Sequence, residues 1–99
     1  MKVITPKNLT PKDATLCAAS ILGIATETKT SVKEAHRLVI ASLTLLRPIT
    51  KQHWWAYGVT ELLTDALRAY ARGSSHHGDF WDYVEFAAEK VEEAYKKCD

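Results

Sequence analysis

Apolar residues recur at helical spacing in four separate segments of this chain, and this periodicity limits the possible folds more than any other feature. In the last segment the apolar and small residues fall on one face of a helix; they are Phe80, Val84, Ala87, Ala88, Val91 and Tyr95. No segment shows the strict alternation that is typical of a half-buried strand. The pattern therefore predicts an all-α fold.

The length of 99 residues fits one domain, because typical domains contain ~100–150 residues. Hydrophobic residues make up 46% of the chain and charged residues 25%, which is the composition of a globular protein and not of a disordered one. We therefore predict a single-domain bundle of about four helices with short loops over residues 1–99. Residues 1–9 are expected to form an extended N-terminal arm.

The first helix is predicted to begin after Thr10, which suits the N-cap, with Pro11 at the first helical position. It should continue to about Ala25. Its apolar residues lie on most sides; they are Ala14, Leu16, Cys17, Ala18, Ile21, Leu22 and Ile24. Such a distribution predicts a central, largely buried helix.

The second helix is predicted to begin at Ser31, because Ser31 and Glu34 form a capping-box pattern. Its inner face is predicted to consist of Val32, Ala35, Val39, Ser42, Leu43 and Leu46. Pro48 should end this helix and hold the preceding Arg47 in an extended conformation.

The third helix is predicted to start at a Thr50 cap and to end near Arg72, where Gly73 can stop it. Residues 73–78 are then expected to form a flexible loop. Asp79 should cap the fourth helix, which continues to the C-terminal end of the sequence.

No catalytic or cofactor motif occurs: there is no P-loop, dinucleotide fingerprint, nucleophile elbow, HExxH or EF-hand loop. We therefore expect no enzyme activity, no catalytic residue and no cofactor. The strongest metal candidate combines His76, His77 and Asp79, since imidazoles and carboxylates ligate zinc. Adjacent histidines rarely face one ion, so we predict a solvated loop without a metal; a pH-sensitive contact is a further alternative.

The two cysteines, Cys17 and Cys98, belong to no metal-ligand spacing. Two free thiols in a reducing compartment are the simplest interpretation, and the predicted location is therefore the cytoplasm. No stretch reaches the ~20 apolar residues of a membrane span, and the first residues lack the apolar region of a signal peptide. No membrane association is expected.

Charge is distributed unevenly along the chain, although the net charge is only +1. The residues up to Gly78 carry +5, whereas those from Asp79 onward carry −4. The small net charge makes nucleic-acid binding an unlikely function. The acidic fourth helix is either a solvated face or a surface that pairs with a basic partner or with a second copy of the chain.

Several aromatic residues are predicted to lie outside the core. Phe86 projects opposite the inner face of the fourth helix, with Tyr83 three positions earlier, and Tyr57 lies on the far side of the third helix. Trp54 falls well away from the inner stripe, beside cationic residues. Aromatic residues surrounded by charge are typical of protein-binding hot spots, so these four are the candidate interaction residues.

These observations predict a small non-enzymatic helical module that binds another protein and forms homo-oligomers, with a dimer favoured. Phage and mobile-element accessory proteins, including inhibitors of host proteins, offer a class-level analogy. Two alternatives stay open. One is a nucleic-acid-binding regulator that uses the basic first three helices, and the other is a small-molecule-binding bundle with a pocket near Trp54, Trp55 and His53.

Overall fold

The structure is a computed structural model that describes residues 10–28, 30–50 and 54–97, without the side chains of Trp54, Trp55 and Lys97. The predicted arm, residues 1–9, lies outside the described residues, as do His53 and Cys98. The four helices are α1 (Pro11–Glu27), α2 (Val32–Leu46), α3 (Trp54–Ala71) and α4 (His77–Lys97). The described part contains no strand, and the predicted all-α bundle of four helices is confirmed.

Each helix has two principal neighbours. α1 packs against α2 and α4, and α3 packs against α2 and α4, with the most extensive contact between α3 and α4. The Lys12 ammonium at the start of α1 lies 5.8 Å from the ring centre of Tyr95, near the end of α4. α1 and α4 are therefore antiparallel.

The inner face of α2 agrees with its sequence pattern. Five of the six predicted residues are buried and Val32 is partly buried against the core; the buried ones are Ala35, Val39, Ser42, Leu43 and Leu46. Ser42, the polar residue of this inner face, donates its hydroxyl hydrogen to the Leu38 carbonyl oxygen at 3.0 Å. Its hydrogen bond removes the cost of burying an unpaired hydroxyl.

The predicted N-caps of the first two helices are confirmed. The Thr10 hydroxyl oxygen accepts a hydrogen bond from the Asp13 amide at 3.1 Å, and the Ser31 hydroxyl oxygen accepts one from the Glu34 amide at 3.2 Å. Each cap pairs one of the amides that the first turn of a helix leaves without an intrahelical acceptor.

The prediction of an extended Arg47 in the α2–α3 connection was wrong. Arg47 has helical angles, φ −54° and ψ −43°, because its amide still bonds to the Leu43 carbonyl and begins a 3₁₀ turn over Arg47–Ile49. The Thr50 hydroxyl donates to the Arg47 carbonyl oxygen at 2.8 Å. The amides that a Thr50 cap would pair belong to residues 51–53, so this prediction lies outside the described residues. α3 begins at Trp54.

The connection between α3 and α4 is shorter than predicted. Gly73 ends α3 as expected and adopts a φ of 104°, which is accessible to glycine without strain. The predicted flexible loop 73–78 was wrong, because Ser74–His76 form a 3₁₀ turn and α4 already begins at His77. Asp79 consequently lies in the first turn of α4 and is not its N-cap.

An aromatic stack joins three helices at this end of the bundle. The ring of Tyr70 in α3 stacks on His36 of α2, with 4.0 Å between ring centres, and faces His77 of α4 at 6.0 Å. Phe80, which is fully buried, lies tilted against Tyr70 at 5.9 Å. The contacts position the start of α4 on the core.

α1 contradicts the prediction of a central, largely buried helix. Its buried face consists mainly of small residues, namely Ala14, Thr15, Ala18, Leu22 and Ala25. The larger Leu16 and Ile24 are exposed, at 45% and 54%. The prediction failed because an apolar residue on every side does not require a neighbouring helix on every side.

Candidate protein-binding groove

A groove of about 650 Å³ runs between α1 and α4 on the outside of the bundle and is partly open to solvent. It is lined by one face of each helix; the residues are Leu16, Ala19, Ser20, Gly23, Ile24, Thr26, Glu27, Glu85, Ala88, Glu89, Glu92 and Tyr95. None of the described side chains of α2 and α3 contributes to this lining. The groove is therefore a surface feature of the antiparallel α1–α4 pair.

The α1 side of the groove is mainly apolar. Leu16 and Ile24 stand on it two turns apart, and the small residues Ala19 and Gly23 lie between them. A Cβ atom added at Gly23 would meet no atom within 4 Å, so the space above this position is unfilled. Two exposed aliphatic side chains beside a shallow depression form a surface that another apolar group can cover.

The α4 side of the groove is acidic. Glu85, Glu89 and Glu92 are all exposed, and at ~100° per residue they fall within about 60° of one another around the helix. Glu27 at the end of α1 adds a fourth carboxylate. No lysine or arginine is among the described residues that line the groove, although Lys12 stands over Tyr95 at one end. The groove therefore combines an apolar side with a negatively charged side.

A smaller recess of about 290 Å³ continues the groove at its Glu85 end. Thr26 and Glu85 border both spaces, and Thr30 and Trp81 complete the recess. The hydroxyl oxygen of Thr30 is buried and has no hydrogen-bond partner among the described residues. Thr26, Thr30 and Glu85 therefore give this end of the groove a partly polar lining.

Two of the candidate interaction residues lie elsewhere on α4. Phe86 is 56% exposed, as the sequence predicted, whereas Tyr83 is partly buried and packs against the core. Phe86 lies roughly 130° around α4 from the middle of the groove-lining stripe. Neither residue lines the groove, and a role of Phe86 in an interface stays a prediction.

Tyr57, the third candidate, is 58% exposed on the outer face of α3. Glu61, one turn later, raises the pKa of the Tyr57 phenol above its ordinary value of 10.0, because it accepts a hydrogen bond from the hydroxyl and its charge opposes ionisation. Tyr57 also lies away from the groove. The fourth candidate, the side chain of Trp54, is outside the described residues.

The two loop histidines have different neighbours. His76 Nδ1 lies 3.3 Å from a carboxylate oxygen of Asp79, while His77 faces the ring of Tyr70. Within residues 10–28, 30–50 and 54–97, no three His, Cys, Asp or Glu side chains are grouped closely enough to hold a metal ion. None of the four helices, over the parts described, is long and apolar enough to cross a membrane.

The groove was missed by the sequence analysis, since Leu16 and Ile24 were assigned to the core. One signal could have indicated it: the opposite face of α1 already offers a continuous stripe in Ala14, Ala18, Leu22 and Ala25. No family model matches the sequence, and neither a curated protein nor a solved structure matches the chain. The function therefore has to be inferred from the groove itself.

Proposed function

We propose that the chain is a non-enzymatic protein-binding module whose α1–α4 groove holds one amphipathic helix of a partner protein. One observation on α1 carries this proposal: the helix buries mainly small residues and exposes the large apolar residues Leu16 and Ile24. An interface uses such residues as anchors, because burying them against a partner removes apolar area from water.

The apolar side supplies a useful part of the binding free energy. A Leu or Ile side chain contributes ~1.5–3 kcal/mol when it passes from full exposure to full burial. Since Leu16 and Ile24 are about half exposed, covering both adds on the order of 2 kcal/mol in total. Apolar residues of the partner helix that enter the groove add a comparable term.

The dimensions favour a helix as the occupant. From Leu16 to Glu27 the groove follows α1 for about three turns, or ~16 Å at 1.5 Å per residue. A helix of that length presents apolar side chains at positions i, i+4 and i+7, which match a shallow linear groove. A small molecule would be enclosed poorly by a space that is partly open to solvent.

The acidic side of the groove favours a partner helix with basic residues along one edge. A partner with lysine or arginine along one edge would place these charges beside Glu85, Glu89 and Glu92. Complementary charges at the rim of an interface orient the partner and accelerate its association. The same carboxylates would repel the phosphates of a nucleic acid, so this surface does not support the nucleic-acid alternative.

A small module that occupies a helix of a larger protein can block that helix from its normal contacts. This mode of action fits an inhibitor of a host protein, such as those among phage and mobile-element accessory proteins. The comparison is with a class of proteins and not with one family, and it depends on the groove binding a single helix.

An unbiased helix selection tests this function. The full chain would be presented with a display library of helices about 20 residues long, which have apolar residues at i, i+4 and i+7 and random flanking positions. We expect the enriched helices to carry lysine or arginine along one flank. Their affinity should fall roughly tenfold or more for the groove-polar variant, which combines Leu16→Gln with Ile24→Gln.

The matched control is Phe86→Ala, which removes a similarly exposed apolar side chain from the other side of α4. We expect this variant to bind the selected helices as wild type does. Circular dichroism of all variants verifies that they are folded. Failure to enrich any helix, or equal binding by the groove-polar variant, would contradict the proposed function. A loss of binding confined to Phe86→Ala would also contradict it, because the site would then lie on the Phe86 side of α4.

A further inference from the structure

We propose that in the free protein the α1–α4 groove is occupied by α2 of a second copy, so that self-association covers the site until a partner helix displaces it. This inference rests on the proposed function of the groove. In the absence of a partner, a second copy of the chain fills the groove. Binding of a partner therefore competes with self-association.

The outward face of α2 has the chemistry that the groove requires. Ile40 is 45% exposed, with Lys33 and Arg37 exposed on the same helix and Arg47 immediately after its last residue. At ~100° per residue, these four positions fall within about 80° of one another around the helix axis. We call them the basic stripe. It presents one apolar side chain among three cations, whereas the groove presents two apolar side chains beside four carboxylates.

The charges of the basic stripe are weakly engaged within the chain. Among the described residues, one ion pair involves the stripe: Arg37 lies 3.7 Å from Glu34, one turn earlier in α2. Both side chains are at least half exposed, and such surface pairs contribute little because water and salt screen them. Arg37 can therefore exchange this contact for one with an acidic neighbour.

The lengths of the two surfaces agree. The basic stripe extends over ~21 Å from Lys33 to Arg47, and the groove follows α1 for ~16 Å from Leu16 to Glu27, both at 1.5 Å per residue. One α2 helix can thus lie along the whole groove.

The contact joins two different patches of the molecule. α2 contributes no residue to the groove lining, so the stripe and the groove are separate patches. Two copies can engage both patches reciprocally in a closed dimer, whereas a copy that offers its stripe to one neighbour and its groove to another extends the assembly into a ring or an open chain. The size of the assembly distinguishes the dimer that the sequence analysis favoured from these larger forms.

Sedimentation velocity of the full chain tests this proposal with two charge-reversed variants. The groove-reversed variant combines Glu85→Lys with Glu89→Lys, and the stripe-reversed variant combines Lys33→Glu with Arg37→Glu. Wild type is expected to form species larger than a monomer that grow with concentration and shrink with added salt, because salt screens the charges across the contact. Each variant alone should associate roughly tenfold more weakly.

An equimolar mixture of the two variants gives the sharper result. The native stripe of the groove-reversed variant can enter the native groove of the stripe-reversed variant, so the mixture should associate more strongly than either variant alone. A matched control, Asp82→Lys with Glu93→Lys, reverses two exposed carboxylates of α4 that do not line the groove. This control should associate as strongly as wild type.

Three results would overturn the inference: a wild type that is monomeric at all concentrations, a mixture that associates no better than its components, or a control as weak as the groove-reversed variant. The proposed function is judged separately by the selected helices. If they bind the groove while wild type stays monomeric, only the self-association is wrong. If they bind and also dissociate the wild-type assemblies, both proposals are supported.

Discussion

α1 and α2 are similar in length and have equivalent N-caps, yet they use their large apolar residues in opposite ways. α2 buries Val39, Leu43 and Leu46 and leaves mainly polar residues outside. α1 has 17 residues and fully buries a single large apolar side chain, Leu22, while leaving Leu16 and Ile24 in contact with water. Folding stability explains the inner face of α2, because burial of large side chains is its main source. It does not explain α1.

The difference teaches how to separate residues that hold the fold from residues available to a partner. Alanines on the inner face of α1 let it approach its neighbours closely but remove less apolar area from water than leucines would. The larger residues then lie on the opposite face, in the groove. α1 thus has a structural face and, opposite it, the face that we propose binds a partner.

Leu22→Ala should break the structural face of α1 and produce the largest effect. We expect a loss of ~2–5 kcal/mol in the free energy of unfolding, since the substitution leaves a cavity among buried neighbours. Urea unfolding followed by circular dichroism measures it. Leu16→Ala on the other face is the matched control, with an expected loss below ~1 kcal/mol. Equal losses for the two leucines would mean that α1 has no separate binding face.

The two N-caps should respond alike and sharpen the comparison. Thr10→Ala and Ser31→Ala each remove a hydroxyl acceptor from the first turn of a helix, and each should cost about 1 kcal/mol of stability. The exchanges Thr10→Ser and Ser31→Thr keep the hydroxyl and should retain most of the stability. A loss of stability for Ser31→Ala but none for Thr10→Ala would show that α1 and α2 already differ at their N-terminal ends. Side-chain burial would then not be the main difference between the two helices.

The sequence predicted those parts of the fold that depend on local signals. The cap at Ser31 and the inner face of α2 were correct because a capping residue and an amphipathic stripe each specify one solution. The outward position of Phe86 also followed from helical phase. Local signals were insufficient at Pro48, which lies in a 3₁₀ turn, and at His77, which begins α4 two residues before the predicted cap.

The groove could not be predicted, because it depends on which side of α1 lacks a neighbour. α1 is apolar around most of its surface, so its periodicity does not distinguish Leu16 from Leu22. The acidic character of α4 was evident from the sequence, but its position beside Ile24 required the antiparallel pairing of α1 and α4. The charge pattern therefore predicted an acidic face on α4, but it did not predict which side of α1 that face lies beside.

The groove-polar variant, Leu16→Gln with Ile24→Gln, tests the central claim most directly through its free energy of unfolding. Urea unfolding is measured at low protein concentration, where self-association does not contribute. Glutamine keeps a flexible stem and a good helix propensity, so we expect the stability to stay within ~0.5 kcal/mol of wild type. A loss of ~2 kcal/mol or more, in the range expected for Leu22→Ala, would place both residues in the core and contradict a binding face on α1.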